Sequence, residues 1–417
     1  MNIGIVSVWF ECGAGYVTRQ YKSILEKSGH KVFIFARGGH YPLKDPLYNV
    51  PEVTWSKPSH VPITYSFDLG EFKEWLKSRS IDVVFFNEQH WWNPVILCHE
   101  LGIKTGSYID YYTKDTIPLF KAYDFTISNT RRHFSVFKEN AQSFYVPWGT
   151  DIETFKPVSP EAVNNKFVTY FHSCAATPER KGTDQLIMAF SRIKGPARLV
   201  IHTQVSIARQ FPALKKTLIS LRKNGLLDIC NKTIGAPGLY HLGDIYVYPS
   251  RLEGIGLTMA EALASGLPLI TTDYAPMNEF VDGKNGALIP VSETYYRKDN
   301  YYWPMCDVDI ESLAQIMQRY ADRIDEIVEM KKQARNFASE FLDWNKNRTL
   351  INDIFRNTRI NINSEKLEAI NQIKSIEYSD SVRDRMYRRI PHIYSFAHRI
   401  YRMYRMARTK KFRTRVQ

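Results

Sequence analysis

Short apolar runs alternate with helical patterns from the first residue of the chain. "NIGIVSV" is followed by the glycine-rich stretch "ECGAGY" and then by "VTRQYKSILEK", where Val17, Tyr21, Ile24 and Leu25 fall at i, i+4, i+7 and i+8 before Gly29. That spacing puts four apolar side chains on one helix face, and a glycine just past them is a stop signal. Strand, glycine turn, helix, strand is a βαβ unit. The runs "KVFIFA", "DVVFFN", "KTGSYID" and "DFTISN" continue the series and predict a mostly parallel sheet covered by helices on both faces.

A second series begins after "VPWGTDIETFKP". Here "FVTYFHSC", "ARLVIHTQ", "DIYVYPS", "GLPLITTD" and "GALIPV" have strand length, and "TDQLIMAFSRI" and "LTMAEALASG" read as helices between them. A helical pattern over Ser312–Phe355 follows, and then a polar stretch. The predicted fold class is α/β, with two doubly wound Rossmann-like domains whose ligands sit at the carboxyl ends of the strands. The predicted boundaries are residues 1–150, a hinge near Trp148 to Pro157, residues 158–345, a helical and polar connection over 346–380 that returns to the first domain, and a basic tail over 381–417.

Composition refines this picture in three places. The chain has 417 residues, beyond the size at which one core keeps growing, and 44% are hydrophobic, enough to build two. Five cysteines, Cys12, Cys98, Cys174, Cys230 and Cys306, stand singly with no C-x-x-C pair, which argues for a reducing compartment and against disulfides or zinc. No membrane-spanning run and no signal-peptide pattern is present, so the expected location is cytoplasmic. The net charge is +13, of which residues 381–417 carry +11 and the first 380 only +2. Within that tail, Ile393, Phe396, Ile400, Met403 and Tyr404 form one helical stripe opposed by Arg399, Arg402, Arg405 and Arg408. The pattern predicts an anionic membrane surface as partner through residues 391–417, and a peripheral place on the inner face of the membrane. A nucleic acid is the rival partner for so basic a tail, but the nearly neutral body offers it no footprint, and none is expected.

The candidate chemistry gathers in "EGIGLTMAE", where Glu253 and Glu261 flank Gly254 and Gly256. The glycines place Glu253 in a strand-to-helix loop and Glu261 in an early helical turn. The backbone N–H groups of Ile255, Gly256, Leu257 and Thr258 would then open a helix with no partners of their own, an arrangement suited to phosphate. Carboxylates repel phosphate but accept bonds from hydroxyls. A ligand with a phosphate centre and a polyol at each end, such as a sugar nucleotide, has that layout.

At "YVPWGTDIETFKP", "RKGTDQLIMAF", "GDIYVYPSRLEGIGLTMAEALASGLPLITTD" and "EFVDGKNGALIPV" the chain resembles the GT-B glycosyltransferases of family 4, which are retaining and use nucleotide sugars. The resemblance covers about residues 145 to 291. It implies transfer of a glycosyl group from a nucleoside diphosphate sugar to a hydroxyl on the same face of the sugar, without a covalent intermediate and without a required metal. By position, Glu253 would bind donor-sugar hydroxyls, Glu261 the ribose, and Lys181 the leaving diphosphate, with Gly13 and Gly15 approaching the donor phosphates. Two positions depart from the family. Ala175 and Ala176 stand where an arginine is usual, leaving Arg180 as its substitute, and Asp110 stands where a histidine is usual. Arg19, His90 and Trp91 are the acceptor-side candidates, although the tryptophan pair reads equally well as packing. Glu253 and Lys181 are expected to face the crevice rather than the core. With the basic tail at a membrane, the implied acceptor is a lipid-linked saccharide in surface polysaccharide or glycolipid assembly. An epimerase-like GT-B enzyme, a nucleic-acid-binding protein and a silent sugar-nucleotide-binding subunit are the alternatives.

Overall fold

A computed structural model describes residues 1–10, 12–37, 48–56, 66–158 and 166–389, with side chains as far as residue 376. The first series runs β1 (Asn2–Val8), α1 (Gly13–Lys27), β2 (Lys31–Arg37), β3 (Val53–Trp55), α2 (Leu69–Ser78), β4 (Val83–Asn87), α3 (Asn93–Glu100), β5 (Lys104–Tyr108), β6 (Phe125–Ser128), α4 (Arg131–Phe137) and β7 (Ser143–Tyr145). Its strands form a sheet in the order β3-β2-β1-β4-β5-β6-β7. The second series runs β8 (Val168–Ala175), α5 (Thr183–Phe190), β9 (Ala197–Thr203), α6 (Ile207–Gln210), α7 (Lys215–Lys223), β10 (Leu227–Asn231), β11 (Ile245–Tyr248), α8 (Leu257–Ala264), β12 (Leu269–Thr272) and β13 (Gly286–Ile289), with sheet order β10-β9-β8-β11-β12-β13.

The pairs that flank β1 and β8 are parallel. In each sheet the order reverses beside that first strand, which makes a switch point at its carboxyl end. The α/β doubly wound class read from the apolar runs is the observed one.

Three features differ from the sequence reading. Gly13 and Gly15 lie not in a turn but in the first turn of α1, where the Cys12 Sγ accepts from Gly15 N–H. A side chain at Gly15 would place its Cβ 2.1 Å from the Phe10 carbonyl, so backbone packing itself requires glycine there. The pattern over Ser312–Phe355 is broken into α9 (Ile310–Asp322), α10 (Ile324–Phe341) and α11 (Arg348–Asn357). The second break lets Leu342 O accept from Thr150 N–H and Trp344 N–H donate to Thr150 O, with the Trp344 ring 4.7 Å from Trp148. Finally β14 (Val291–Tyr295) and β15 (Met305–Val308) form an antiparallel hairpin outside both parallel sheets. The last element is α12 (Ser364–Arg389). The amphipathic stripe expected over 391–417 lies outside the described residues.

Compactness divides the chain into one unit of Met1–Ser107, Pro118–Phe125 and Thr358–Gln417, and another of Tyr108–Ile117 and Thr126–Asn357. The first is built on Ile3, Ile5, Tyr21, Phe35, Phe72 and Phe85, all essentially without solvent exposure. It also holds a buried ion pair in which Lys366 Nζ donates to Asp124 Oδ1 at 2.5 Å. Asp124 accepts further bonds from Asn361 N–H and from the N–H and hydroxyl of Thr105. Four donors on one carboxylate offset the desolvation that makes isolated buried charges so costly. The second unit has its core in Tyr170, Leu186, Ile201, Val247, Leu313 and Met317.

Candidate functional site

In the second unit the switch point is framed by two loops, residues 176–182 leading into α5 and residues 249–256 leading into α8. Gly182 brings them together. It has φ +66°, and a Cβ there would lie 1.9 Å from the Pro249 carbonyl, so any other residue would be strained in backbone and also clash. Arg251 then fixes the second loop. Its guanidinium takes both oxygens of Asp184 at 2.7 and 2.8 Å and Asp307 at 2.5 Å, while its N–H donates to Arg180 O.

This geometry joins Lys181 to Glu253. Lys181 Nζ donates to Glu253 Oε1 at 2.6 Å and also to the Tyr248 hydroxyl. The same Oε1 accepts from Ser250 Oγ at 2.5 Å and from Tyr248 OH at 3.0 Å. The other oxygen, Oε2, meets Arg180 at 3.5 Å, its one partner among the described residues. Both groups are largely shielded from solvent, Glu253 at 4% exposure and Lys181 at 9%, by the partners that they share. Mutual neutralisation permits this, since neither charge is tolerable there alone.

Burial opposes the charge on Glu253, but Lys181 and then Arg180 outweigh it and hold the carboxyl at about 2. Burial and the neighbouring Arg180 draw Lys181 down to about 8 against the pull of Glu253. At neutral pH the pair is ionised.

The backbone carbonyls of the second loop are held as well. Arg180 Nη1 donates to Leu252 O at 3.0 Å. Arg132, 4% exposed, donates to the carbonyls of Glu253 and Ala275, and His133 Nε2 lies 3.2 Å from Gly254 O. A carbonyl only accepts, so His133 carries its proton on Nε2, and Nδ1 accepts from Tyr112 OH at 2.9 Å. That requires a neutral ring, and burial followed by the charge of Arg132 holds His133 well below its ordinary value. Helix α4, which carries both residues, is capped by Glu279, whose carboxylate accepts from Arg131 N–H and Arg132 N–H. In a trans peptide the carbonyl and the following N–H point opposite ways. Drawing back the carbonyls of Glu253 and Gly254 therefore turns the N–H groups of Gly254 and Ile255 away from α4. Beyond them Gly256 precedes α8, where Leu257 and Thr258 begin the helix and their N–H groups have no partner within it.

Comparison with known proteins supplies the architecture. Residues 167–297 match the glycosyl transferases group 1 family. The solved structure of HepE from Anabaena, in complex with UDP-glucose, superposes with a TM-score of 0.65 at 14% identity over 86% of this chain and 100% of that one. The fold is GT-B.

Among curated relatives, the UDP-N-acetylglucosamine–peptide N-acetylglucosaminyltransferase GtfA subunit of Streptococcus pneumoniae serotype 4 is 37% identical over 93 residues, 21% of this chain and 18% of that protein. The lipopolysaccharide core biosynthesis mannosyltransferase LpsB of Rhizobium meliloti is 45% identical over 64 residues, 15% of this chain and 18% of that protein. These matches span less than a fifth of either relative's own length.

The remaining candidates are distributed over both units of the GT-B chain. Glu261, in the second turn of α8, accepts from Tyr240 OH at 2.5 Å. Asp110 follows β5 and belongs to the second unit, where its carbonyl accepts from Tyr301 OH at 3.1 Å. Gly13, Gly15, Arg19, His90 and Trp91 belong to the first unit. There the Arg19 guanidinium covers the rings of Tyr16 and Tyr48 at 4.5 and 5.3 Å. Trp91 packs edge-on against Phe67 at 5.4 Å. Burial and then Arg37 lower His90 to about 4, and burial raises its neighbour Glu88, which adopts φ +51° at the end of β4. Sequence reasoning missed Tyr248, Ser250, Arg132 and His133. The first two stand inside the motif stretch, but the pattern "YVYPS" carries only a strand signal. Among the described residues, no group of three His, Cys, Asp or Glu is gathered for a metal, and no helix is long and apolar enough to cross a membrane.

Proposed function

We propose that the protein is a retaining glycosyltransferase that moves a sugar from a nucleoside diphosphate donor to a hydroxyl of a lipid-linked saccharide. The observation that carries this reading is the Lys181–Glu253–Arg180 cluster at the N-terminus of α8, inside the stretch that matches glycosyl transferases group 1. Lys181 has three ammonium donors and uses two within the protein, which leaves one for a diphosphate oxygen. The N–H groups of Gly254, Ile255, Leu257 and Thr258 supply further donors, and the α8 dipole favours the same charge. Glu253 Oε2, which meets Arg180 at 3.5 Å, takes a sugar hydroxyl in this reading, and Glu261 takes the ribose. Gly13 and Gly15 serve the donor phosphates, with Asp110, Arg19, His90 and Trp91 on the sugar and acceptor side.

In the reaction the anomeric C–O bond to the diphosphate breaks, and a bond from the acceptor oxygen forms on the same face. The hydroxyl proton passes to the departing diphosphate oxygen. The protein's contribution is a preorganised positive field on that leaving group and orientation of the acceptor. No metal is assigned a role. GtfA and LpsB, the relatives named above, act on a peptide and in lipopolysaccharide core biosynthesis respectively, so transfer to a large acceptor is the shared theme.

A screen of UDP-, GDP- and ADP-sugars tests the reading. At least one is expected to raise the melting temperature and to be slowly hydrolysed without acceptor, and silence from all three classes would refute it. The basic tail supports a membrane-bound acceptor. Full-length protein is expected to pellet with phosphatidylglycerol vesicles at low salt, while a chain lacking residues 381–417 stays in solution. Equal behaviour of the two rejects the anchor.

A further inference from the structure

The β14–β15 hairpin belongs to neither parallel sheet, yet its connection over residues 296–304 is long and rich in rings, "YRKDNYYWP". Two residues suffice to join antiparallel strands. The extra length seats an aromatic cluster beside the glutamate loop. Tyr301 is buried and stacks on Tyr111 at 5.1 Å with 14° between the planes. Trp303 Nε1 donates to Tyr112 OH at 2.6 Å, and its ring lies under the Arg132 guanidinium at 5.2 Å. Tyr302 stands edge-on to Trp303 at 5.1 Å. The guanidinium that holds the Glu253 carbonyl therefore also carries the face of Trp303.

Packing consumes Tyr301 but not all of these rings. Tyr302 and Trp303 are half-buried, and Tyr296 is 74% exposed. Large apolar rings left in water mark a binding surface when they cluster. Between Ser292 and Pro304 there is no aliphatic residue, and the rings are interleaved with Arg297, Lys298, Asp299 and Asn300. An acyl chain would call for aliphatic surface. A sugar ring has a C–H face for stacking and a rim of hydroxyls, the same mixture this surface offers. Flat rings with two torsions provide such contact at low entropic cost.

We propose that Tyr302 and Trp303, extended by Tyr296, form a saccharide acceptor subsite that seats a sugar ring by stacking, within reach of the Glu253 loop. The assignment rests on the glycosyltransferase reading above and adds to it that the acceptor is recognised through a sugar ring.

Saturation-transfer NMR on the full chain tests it, with the methyl glycosides of glucose, galactose, mannose and N-acetylglucosamine in one arm and UDP, GDP and ADP in another. At least one glycoside is expected to bind. The pair Tyr296→Ala/Tyr302→Ala is expected to weaken that binding by about tenfold, and Tyr296→Phe/Tyr302→Phe to restore it, because stacking needs the ring and not the hydroxyl. No glycoside binding to the unaltered protein, or unchanged binding by the alanine pair, overturns the subsite. Binding by a serine- or threonine-containing peptide that the alanine pair abolishes, with no glycoside bound, likewise overturns it. The nucleotide arm judges the enzyme reading separately, since glycoside binding is scored without turnover.

Discussion

Glu253→Gln is expected to lower transfer by at least about 10²-fold while the chain remains folded, because in the proposed reaction the carboxylate accepts a donor hydroxyl and keeps Lys181 charged beside the leaving group. The loss should fall on kcat more than on KM, as the charge interaction grows when the diphosphate departs. Stability responds differently. Lowering the Glu253 pKa to about 2 from the ordinary 4.5 is worth about 3 kcal/mol above pH 4.5, and this is lost as pH falls through 2. Removing the carboxylate does not forfeit all of it at neutral pH. Lys181, already at about 8, sheds its proton once its partner is gone. A double variant, Glu253→Gln with Lys181→Met, should therefore be at least as stable as Glu253→Gln alone, although equally inactive. Near-unchanged turnover by Glu253→Gln in a donor-hydrolysis assay would remove it from the site.

The second large effect is an alkaline limb. A lysine that titrates near 8 in the free protein loses its charge just above physiological pH, so kcat/KM is expected to fall tenfold per pH unit above about 8. A bound diphosphate adds negative charge beside Nζ and raises that value, so the limb in kcat should lie at higher pH than the limb in kcat/KM. Stability should run the opposite way. Between pH 8 and the ordinary lysine value of 10.5 the unfolded chain binds more protons at this group than the folded one, and its contribution to stability rises with pH. Activity that declines where the pair's fold strengthens is a signature simple alkaline denaturation does not give. Lys181→Arg should remove the limb from whatever activity it retains. A flat profile from pH 7 to 9.5 in the unaltered protein would exclude Lys181 as the charge on the leaving group.

Sequence carried the two sheets because strands buried on both faces must be nearly continuous apolar runs, and these stand out against any background. The motif's short windows in fixed order singled out Lys181 and Glu253, which the structure joins in an ion pair, and Glu261, which accepts from Tyr240 OH. Sequence did not carry Arg132 or His133, which meet the glutamate loop from about 120 positions away, since neither periodicity nor propensity encodes a contact at that separation. The β14–β15 hairpin was equally illegible. Its short strands alternate over too few residues, and its tyrosines read as ordinary surface until the fold sets them beside Tyr111 and Tyr112. Gly13 and Gly15 were found but misplaced, because glycine is a turn former by propensity, and it is the Phe10 carbonyl packed against α1 that explains Gly15 inside a helix.

The Asp124–Lys366 pair has a consequence for the order of synthesis. Asp124 accepts two bonds from Thr105, made earlier on the ribosome, and two from Asn361 and Lys366, made some 240 residues later. The second unit, apart from Tyr108–Ile117, is one uninterrupted length from Thr126 to Asn357 and is complete before either late donor exists. The half of the protein that starts first therefore finishes last. Until α12 arrives Asp124 lacks the Lys366 ammonium, and because a buried carboxylate without its partner charge is costly, closure of the first unit is expected to wait for the last part of the chain.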